Sequence, residues 1–294
     1  MDLLSISKKQ QFGIEIEYLN SEKNKVEDRL YHAFVNKELN HDWHYDAEDT
    51  IEHPFGFDYA GELVSPILHN QIKDLKEIKY ACELLQNLRA MTDGQCGGHI
   101  HFDYKILDDE NQTEVFTKKL VDNLRKLILL QLNYEDVLFR YAAGTDQVIR
   151  EAAKVFAIPL NQVLTLRDIK KYLYDEVTTK DFSLWIKSWS RNYALNLRRL
   201  VDKKNAKTIE IRFPNGTLNE EIWRNNINFF GLVLEYVPKM PFEVKEKLYH
   251  NVIVNKQYFH LNCQRLNLVK ARELAELVLD EEQDKKTFMK QYRK

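Results

Sequence analysis

The chain has few of the features that mark a membrane, secreted or nucleic-acid-binding protein. Its 294 residues contain no apolar run close to the roughly 18 residues that a membrane-spanning helix needs. The N-terminal residues MDLLSISKKQQ lack the basic segment and apolar stretch of a signal peptide. The formal net charge is only −2 at pH 7, so no strong field favours nucleic acid or a membrane surface. We therefore expect a cytoplasmic protein that binds neither.

Cysteine and glycine are also scarce. Cys82, Cys96 and Cys263 are odd in number and far apart, which excludes a disulfide framework or a cysteine-based zinc cluster. There are nine glycines, where about 20 would be usual for this length. Five of them sit beside a few charged segments, and these are Gly13, Gly61, Gly97, Gly98 and Gly216. Because glycine lets a ligand approach the backbone closely, this placement favours a site over ordinary turns and bulges.

The hydrophobic pattern indicates a mixed fold. Alternation of apolar and polar residues predicts strands at 11–19, 59–68, 97–104 and 206–213. Apolar spacings of three and four residues predict helices at 70–91, 114–141, 219–237 and 268–282. Residues 144–190 are also expected to be helical, with a boundary at Ile158–Pro159. The strands come early and late with helices between them, so we predict one α+β domain over residues 1–294. The stretch 105–190 is a candidate helical insertion.

Three predicted strands repeat one plan. Side chains two residues apart in a strand share a face. In each of these strands one face is apolar, and the opposite face carries ionisable side chains, which are Glu15, Glu17, His99, His101, Asp103, Glu210 and Arg212. A solvated outer face is the simpler interpretation, but it would carry a mixture of Lys, Thr, Ser and Gln.

The carboxylates on this face favour a shared metal site. Two carboxylates spaced i, i+2 in a strand lie roughly 7 Å apart, and a cation between them relieves their repulsion. A ligand set of mostly carboxylate, with one or two imidazoles and no thiolate, suits Mg²⁺ or Mn²⁺. A zinc site made of the same histidines and carboxylates stays open, and it would indicate hydrolysis.

Four segments, in order, resemble motifs of the amidoligase family: FGIEIEY, GELVSPI, CGGHIHFD and TIEIRFPNGTLN. The relatives of this family are carboxylate–amine ligases of the glutamine synthetase-like superfamily, including glutamate–cysteine ligases. The resemblance covers residues 12–18, 43–67, 96–103 and 191–219. It implies a curved antiparallel sheet with helices on its apolar face, and ATP with Mg²⁺ on its polar face. It also implies that ATP phosphorylates a carboxylate and that an amine then displaces phosphate to form an amide.

The resemblance also implies roles for individual residues. The residues that look like metal ligands are Glu15, Glu17, Glu62, His99 and Glu210. His101 looks like the neighbour that faces phosphate or substrate, and Arg212 looks like the arginine that meets the transferring phosphate. A planar guanidinium on the same strand face as Glu210 suits that role, because it grips phosphate with two parallel hydrogen bonds. The chain has no GxxxxGK[ST] loop, so it is not a P-loop enzyme.

Further residues are expected to hold ATP or substrate. Arg191, Tyr193 and Asn196 resemble the stretch before the family's Glu-x-Arg strand, and Asn215 and Thr217 belong to the motif that follows this strand. Glu48 stands where the family usually has Asp, so Asp46 or Asp49 is an alternative to it.

The function predicted from the sequence is ATP- and Mg²⁺-dependent joining of a carboxylate to an amine, with small-molecule or peptide substrates. Two alternatives stay open. A metal-dependent hydrolase would use the same His and Glu residues but would need neither ATP nor Arg212. A non-catalytic binding protein of the same fold would need no turnover at all.

Overall fold

One open antiparallel sheet organises the chain. A computed structural model describes residues 2–47, 59–108, 116–144, 156–202, 207–256 and 265–294. The seven strands of the sheet are β1 (Gln11–Leu19), β2 (His44–Ala47), β3 (Ala60–Val64), β4 (Leu68–His69), β5 (Gly98–Asp103), β6 (Leu195–Asn196) and β7 (Thr208–Ile211). The strand order is β2-β3-β1-β5-β7-β6, with β4 also paired to β1. Helices together with an antiparallel sheet confirm the α+β class, whereas the curved, glutamine synthetase-like form of the sheet stays a prediction.

The four strands predicted from alternation are all present. β1 has the predicted bounds, and β5 and β7 are shorter at their ends. The predicted strand at 59–68 is interrupted around Pro66, so that β3 ends at Val64 and the separate β4 follows. Proline cannot donate a ladder hydrogen bond, which explains the interruption. β2 and β6 were not predicted.

The apolar face of the sheet is buried in the main hydrophobic core. Ile14 pairs with Ile100, and Ile100 pairs with Ile211, so apolar side chains form a row across three strands. All three are 4% exposed or less. Burying each of them stabilises the fold by roughly 1.5–3 kcal/mol. This row fixes the register, because a shift of one residue would bury the charged face instead.

The longer helices supply the rest of this core. They are α1 (Lys23–Val35), α2 (Ile72–Asn87), α3 (Lys118–Ala143), α4 (Thr179–Lys187), α5 (Glu220–Tyr236), α6 (Phe242–Asn255), α7 (Leu268–Val278) and α8 (Glu282–Arg293). Leu75 of α2, Leu124 of α3 and Ile227 of α5 belong to the same core cluster as Ile14 and Ile100. Helices α2, α3, α5 and α7 correspond to predicted helices, whereas α1, α6 and α8 were not predicted.

The predicted helical character of 144–190 is confirmed where the structure describes it, but the segment is divided into more pieces than the one boundary at Ile158–Pro159 predicts. Residues 145–155 lie outside the described part of the chain, and residues 156–190 form short helical pieces followed by α4. Capping residues start new pieces, since Thr165 accepts from the backbone N–H of Asp168 and Thr178 accepts from that of Asp181. The division into domains stays a prediction. Within the described residues, the helices do not combine the length and apolar character that crossing a membrane requires.

Candidate functional site

Strand register brings the five predicted metal ligands onto one face of the sheet. Glu15 of β1 lies opposite His99 of β5, and Glu17 lies opposite Glu62 of β3. On the other side of β5, His101 lies opposite Glu210 of β7. The alternation seen in the sequence therefore places these side chains together on the face opposite the Ile14–Ile100 row.

His99 is at the centre of this cluster. Its Nδ1 lies 2.7 Å from Glu15 Oε2, 3.7 Å from Glu62 Oε1 and 3.9 Å from Glu210 Oε1. Its Nε2 lies 3.4 Å from Glu17 Oε1, without the geometry of a hydrogen bond. The His99 side chain is only 4% exposed, so four carboxylates surround one buried imidazole.

Two overlapping sets of side chains have the geometry of a cation site. Glu15, His99 and Glu210 form one set, and Glu17, Glu62 and His99 form the other. In each set the three ligand atoms lie within 4.8 Å of one another. The buried Nε2 of His99 finds no hydrogen-bond partner among the described residues. An unpartnered buried imidazole nitrogen among carboxylates fits a divalent cation, and an oxygen-rich donor set suits Mg²⁺ or Mn²⁺.

The electrostatics of the cluster keep two carboxylates ionised. Burial opposes ionisation of Glu15, but hydrogen bonds to His101 and His99 hold the pKa of this carboxyl well below its usual range. Burial also opposes ionisation of Glu210, and the nearby charges of His101, Arg212 and His99 nevertheless lower its pKa. Both groups therefore carry the negative charge that a cation ligand requires.

His101 connects the cluster to an arginine that the sequence analysis missed. His101 Nε2 lies 2.8 Å from Glu15 Oε1, and the His101 ring lies 3.0 Å from Arg199 Nη1. Arg199 also lies 3.9 Å from Glu15 and 3.9 Å from Glu210. Arg199 follows the predicted Asn196 by three residues, in the RNYALNLRR segment, and that proximity is the only local signal for it.

Arg212 occupies the predicted face and is held on two sides. Its Nη1 pairs with Glu210 Oε1, and its Nε donates to the carbonyl oxygen of Phe156 at 3.1 Å. With Arg191 it lines a cavity of about 200 Å³ that also contains Glu15, Glu17, Glu62 and His99. The geometry brings a guanidinium to the edge of the cation cluster. Its role as a phosphate clamp stays a prediction.

A second cavity of about 380 Å³ begins on the other side of Glu15. It runs along the polar face past Gly13 and His101 toward Lys105 and Lys207. A still larger cavity of about 510 Å³ adjoins it, and the two share Gln11, Asp103 and Lys105. Glu15 borders both the 200 Å³ and the 380 Å³ cavities, so these two spaces meet at the cation cluster.

The other predicted site residues lie close by, in supporting positions. Asn196 Nδ2 donates to Glu210 Oε2 at 2.6 Å, so it orients that carboxylate. Tyr193 packs against Trp189, with ring centroids 5.4 Å apart. Asn215 pairs with Gly97 through a backbone bridge, and Thr217 accepts hydrogen bonds from Asn219 N–H and Trp223 Nε1–H. Contacts of these residues with ATP or substrate stay predictions.

The segment containing Glu48 is only partly described. Glu48 and its alternative Asp49 lie outside the described residues. The other alternative, Asp46, lies in β2 directly opposite Glu62 with an exposed side chain. Asp46 is therefore on the same face as the cluster.

Comparison with known proteins identifies the family. The family model described as "Putative amidoligase enzyme" matches residues 35–233, which is more than half of the chain. No curated protein matches the chain. The match contains Glu62, His99 and Glu210, while Glu15 and Glu17 precede it and join the same face through the pairing of β1 with β3 and β5. The chain belongs to this amidoligase family.

Proposed function

We propose that the chain is an ATP- and Mg²⁺-dependent ligase that joins a carboxylate to an amine. The observation that carries the proposal is the cluster of four carboxylates around buried His99, with Arg212 and Arg199 at its two sides. Phosphoryl transfer requires positioning and charge neutralisation more than covalent help from the protein. Carboxylates that hold cations, together with guanidinium groups beside them, meet that requirement.

The two overlapping ligand sets are the proposed cation sites. Glu15, His99 and Glu210 would hold one ion, and Glu17, Glu62 and His99 would provide a second position. When bound, Mg²⁺ neutralises the charge of the nucleotide phosphates. Gly97 N–H donates to Glu17 Oε2, and Asn196 donates to Glu210, so both carboxylates are oriented by neighbours before any ion binds.

The proposed reaction has two steps. A carboxylate oxygen of the acid attacks the γ-phosphorus of ATP, and ADP leaves with the electrons of the broken P–O bond. The amine nitrogen then attacks the acyl carbon, phosphate leaves, and the nitrogen gives up one proton to solvent. Arg212 would stabilise the charge on the transferring phosphoryl group, and His101 would face the reacting acid beside Glu15.

The nucleotide separates this proposal from its alternatives. We expect an ATP analogue, AMP-PNP, to raise the melting temperature only with Mg²⁺, because the site is otherwise a cluster of repelling carboxylates. ADP release should then require both an acid and an amine. Equal stabilisation by AMP-PNP in EDTA would contradict the proposal. Metal-dependent hydrolysis without nucleotide would instead favour the hydrolase, and binding without turnover would favour a non-catalytic protein.

The variant Glu17→Gln tests the contribution of the carboxylate charge separately from that of the fold. Glutamine keeps an oxygen that can accept from Gly97 N–H, but it removes one charge from the second ligand set. The variant should fold normally and lose the Mg²⁺-dependent part of the stabilisation by AMP-PNP.

A further inference from the structure

Two hydrogen bonds fix the guanidinium plane of Arg212. Its Nη1 pairs with Glu210 of the cation cluster, and its Nε donates to the carbonyl oxygen of Phe156 at 3.1 Å. Because a guanidinium is planar, bonds from two of its nitrogens set the direction in which the whole group points. Glu210 is in β7, but Phe156 belongs to no strand of the sheet. The orientation of Arg212 therefore depends in part on a segment outside the sheet.

This segment, residues 156–161, is attached to the rest of the protein at two places. In its middle, Ile158 N–H donates to the carbonyl oxygen of Asn192 at 2.7 Å, and Ile158 accepts from Ala194 N–H at 2.9 Å. The carbonyl oxygen of Ala194 accepts from the backbone N–H of Arg212 at 2.9 Å. The first attachment thus holds the segment beside the residues that precede β6.

Glu135 of α3 makes the second attachment. It is fully buried, and its carboxylate accepts from the backbone N–H groups of Leu160 at 2.6 Å and Asn161 at 2.9 Å. Asn161 Nδ2 also donates to the carbonyl oxygen of Leu132, on the preceding turn of α3, at 2.7 Å. Backbone N–H groups at the start of a helix have no acceptor within it, so a carboxylate is a strong anchor there.

The position of the segment is what the buried charge of Glu135 serves. The two shorter of its hydrogen bonds go to the segment, and the longer one, at 3.2 Å, comes from Gln131 on its own helix. A buried carboxylate costs free energy even when it is hydrogen-bonded, whereas an apolar side chain at this place in the core would not. A carboxylate at position 135 therefore contributes precision in the placement of 156–161.

We propose that Glu135 is a positioning residue for Arg212 and that it acts through the backbone of residues 156–161. The inference rests on the ligase function proposed above, in which Arg212 stabilises the transferring phosphoryl group. Pro159, with φ fixed near −59°, connects the anchored end of the segment to the carbonyl group of Phe156. Among the described residues, Phe156 and Arg212 line the 200 Å³ cavity and Glu135 does not. Glu135 thus acts on the site without touching a ligand in it.

The selectivity between AMP-PNP and ADP tests the proposal without a known acid or amine. The two nucleotides differ by the γ-phosphoryl group, so the ratio of the Kd for ADP to the Kd for AMP-PNP, with Mg²⁺, measures how well that group is held. Glutamine at 135 keeps one acceptor oxygen but turns an –NH₂ group toward the second backbone N–H. We expect Glu135→Gln to lower the ratio at least about threefold, because the donor atoms of Arg212 would be misplaced.

A purely structural role predicts a different result. If Glu135 only stabilises the fold, and the pairing of Ile158 alone places Phe156, the binding of both nucleotides will change equally. A ratio that is the same in Glu135→Gln and in the wild type would overturn the proposal.

A double variant shows whether the effect passes through Arg212. Arg212→Met should itself lower the ratio, and Glu135→Gln should cause no further fall in the Arg212→Met background, because two changes to one interaction are not additive. Glu77→Gln is the matched control, since Glu77 of α2 is a buried carboxylate that holds the backbone N–H of Asn40 instead. It should leave the ratio at the wild-type value. An equal fall with and without Arg212, or the same fall in Glu77→Gln, would contradict the proposal.

Asn161→Ala decides the question if Glu135→Gln does not fold. It removes the bond from Nδ2 to the carbonyl oxygen of Leu132 and keeps the carboxylate of Glu135. The ratio should fall in the wild-type background and stay constant in the Arg212→Met background. A ratio that Asn161→Ala leaves unchanged would show that the attachment to α3 does not position Arg212.

The failure of this inference is distinguishable from failure of the ligase function. If neither nucleotide binds with Mg²⁺, the ligase proposal is wrong and this inference is wrong with it. If AMP-PNP binds more tightly than ADP and Arg212→Met lowers the ratio, but neither Glu135→Gln nor Asn161→Ala does, only this inference is wrong.

Discussion

Buried carboxylates in this chain have two different kinds of surroundings. Glu77 of α2 is 1% exposed and accepts from the backbone and side-chain amides of Asn40, both at 3.0 Å. His41 Nδ1 and Trp43 Nε1 complete its surroundings at 2.9 and 3.1 Å. Around His99, in contrast, four carboxylates converge on a single imidazole. Hydrogen-bond donors balance the first charge, whereas for the second group we propose that a cation does so.

Glu135 of α3 resembles Glu77 more than it resembles the His99 cluster. It is fully buried, and it accepts from Leu160 N–H at 2.6 Å, from Asn161 N–H at 2.9 Å and from Gln131 at 3.2 Å. These bonds fix the start of the short helix at Leu160–Val163, four residues after Phe156, whose carbonyl oxygen accepts from Arg212. A buried carboxylate that accepts several hydrogen bonds is therefore typical of a structural role, whereas a cluster of carboxylates is typical of a ligand-binding site.

The largest effect should come from removing charge in the cluster. Glu15→Gln or Glu17→Gln should lower turnover by about 10²-fold or more, because cation-borne charge neutralisation contributes several kcal/mol. For Glu17→Gln the melting temperature without Mg²⁺ should not fall, since the change relieves repulsion among carboxylates. Glu15→Gln should lower it, because the ionised Glu15 is stabilised by His101 and His99. ADP release rates and thermal melting check both expectations. A variant with near-wild-type turnover would show that these glutamates are an ordinary polar face.

The second effect concerns Arg212, which pairs with Glu210 of the cluster and donates to the carbonyl oxygen of Phe156. Arg212→Lys keeps the charge but loses the planar fork, so kcat should fall by on the order of tenfold to 10²-fold. The KM for ATP should change less, because the clamp acts mainly in the transition state. If Arg212 only forms a structural ion pair with Glu210, Arg212→Lys will retain kcat and Arg212→Ala will mainly lower stability.

A smaller effect concerns pH and Glu135. Burial raises the pKa of Glu135 to about 7, despite the opposing hydrogen bonds from Asn161, Gln131 and Leu160. The folded state therefore binds more protons than the unfolded state between the ordinary pKa of 4.5 and about 7, so this residue's contribution to stability is lost as pH rises through that window. From pH 5 to pH 7 the loss is about 2 kcal/mol. Urea unfolding at several pH values would give the free energy of unfolding of the wild type and of Glu135→Gln. The difference between the two should fall by this amount from pH 5 to pH 7, and a difference that does not change with pH would contradict the expectation.

The smallest effect should follow from Glu77→Gln. The amide –NH₂ would face a donor where a carboxylate oxygen now accepts, which should lower the free energy of unfolding by about 1–2 kcal/mol. Turnover per folded molecule should remain close to wild type, because the charge of Glu77 is balanced by hydrogen bonds outside the cluster around His99. A loss of turnover as large as that of Glu17→Gln would remove the distinction between the two groups.

Strict alternation explains why so much of the cluster was predictable. In β1, β5 and β7 the period of two is visible in the sequence, and it alone assigns Glu15, His99 and Glu210 to one face. The long amphipathic helices were predictable for the same kind of reason, since their periodicity extends over several turns.

Features that depend on pairing between distant segments could not be predicted. β6 has only two residues and exists because Leu195 and Asn196 pair with Ile211 and Glu210. That pairing brings the following Arg199 to His101, so the role of Arg199 has no signature in its own neighbourhood. The breaks at Thr165 and Thr178, in contrast, come from local N-caps, and they add to the one boundary, at Ile158–Pro159, that the sequence predicted in this helical segment.

The most direct test of the central claim is a Mn²⁺ titration followed by electron paramagnetic resonance, with Mn²⁺ standing in for Mg²⁺. Wild-type protein and Glu77→Gln should suppress the signal of free Mn²⁺ to the same extent. Glu17→Gln should bind Mn²⁺ at least about tenfold more weakly, a difference of about 1.4 kcal/mol. If the three proteins bind Mn²⁺ equally, or if none of them binds it, the carboxylates around His99 do not form a cation site.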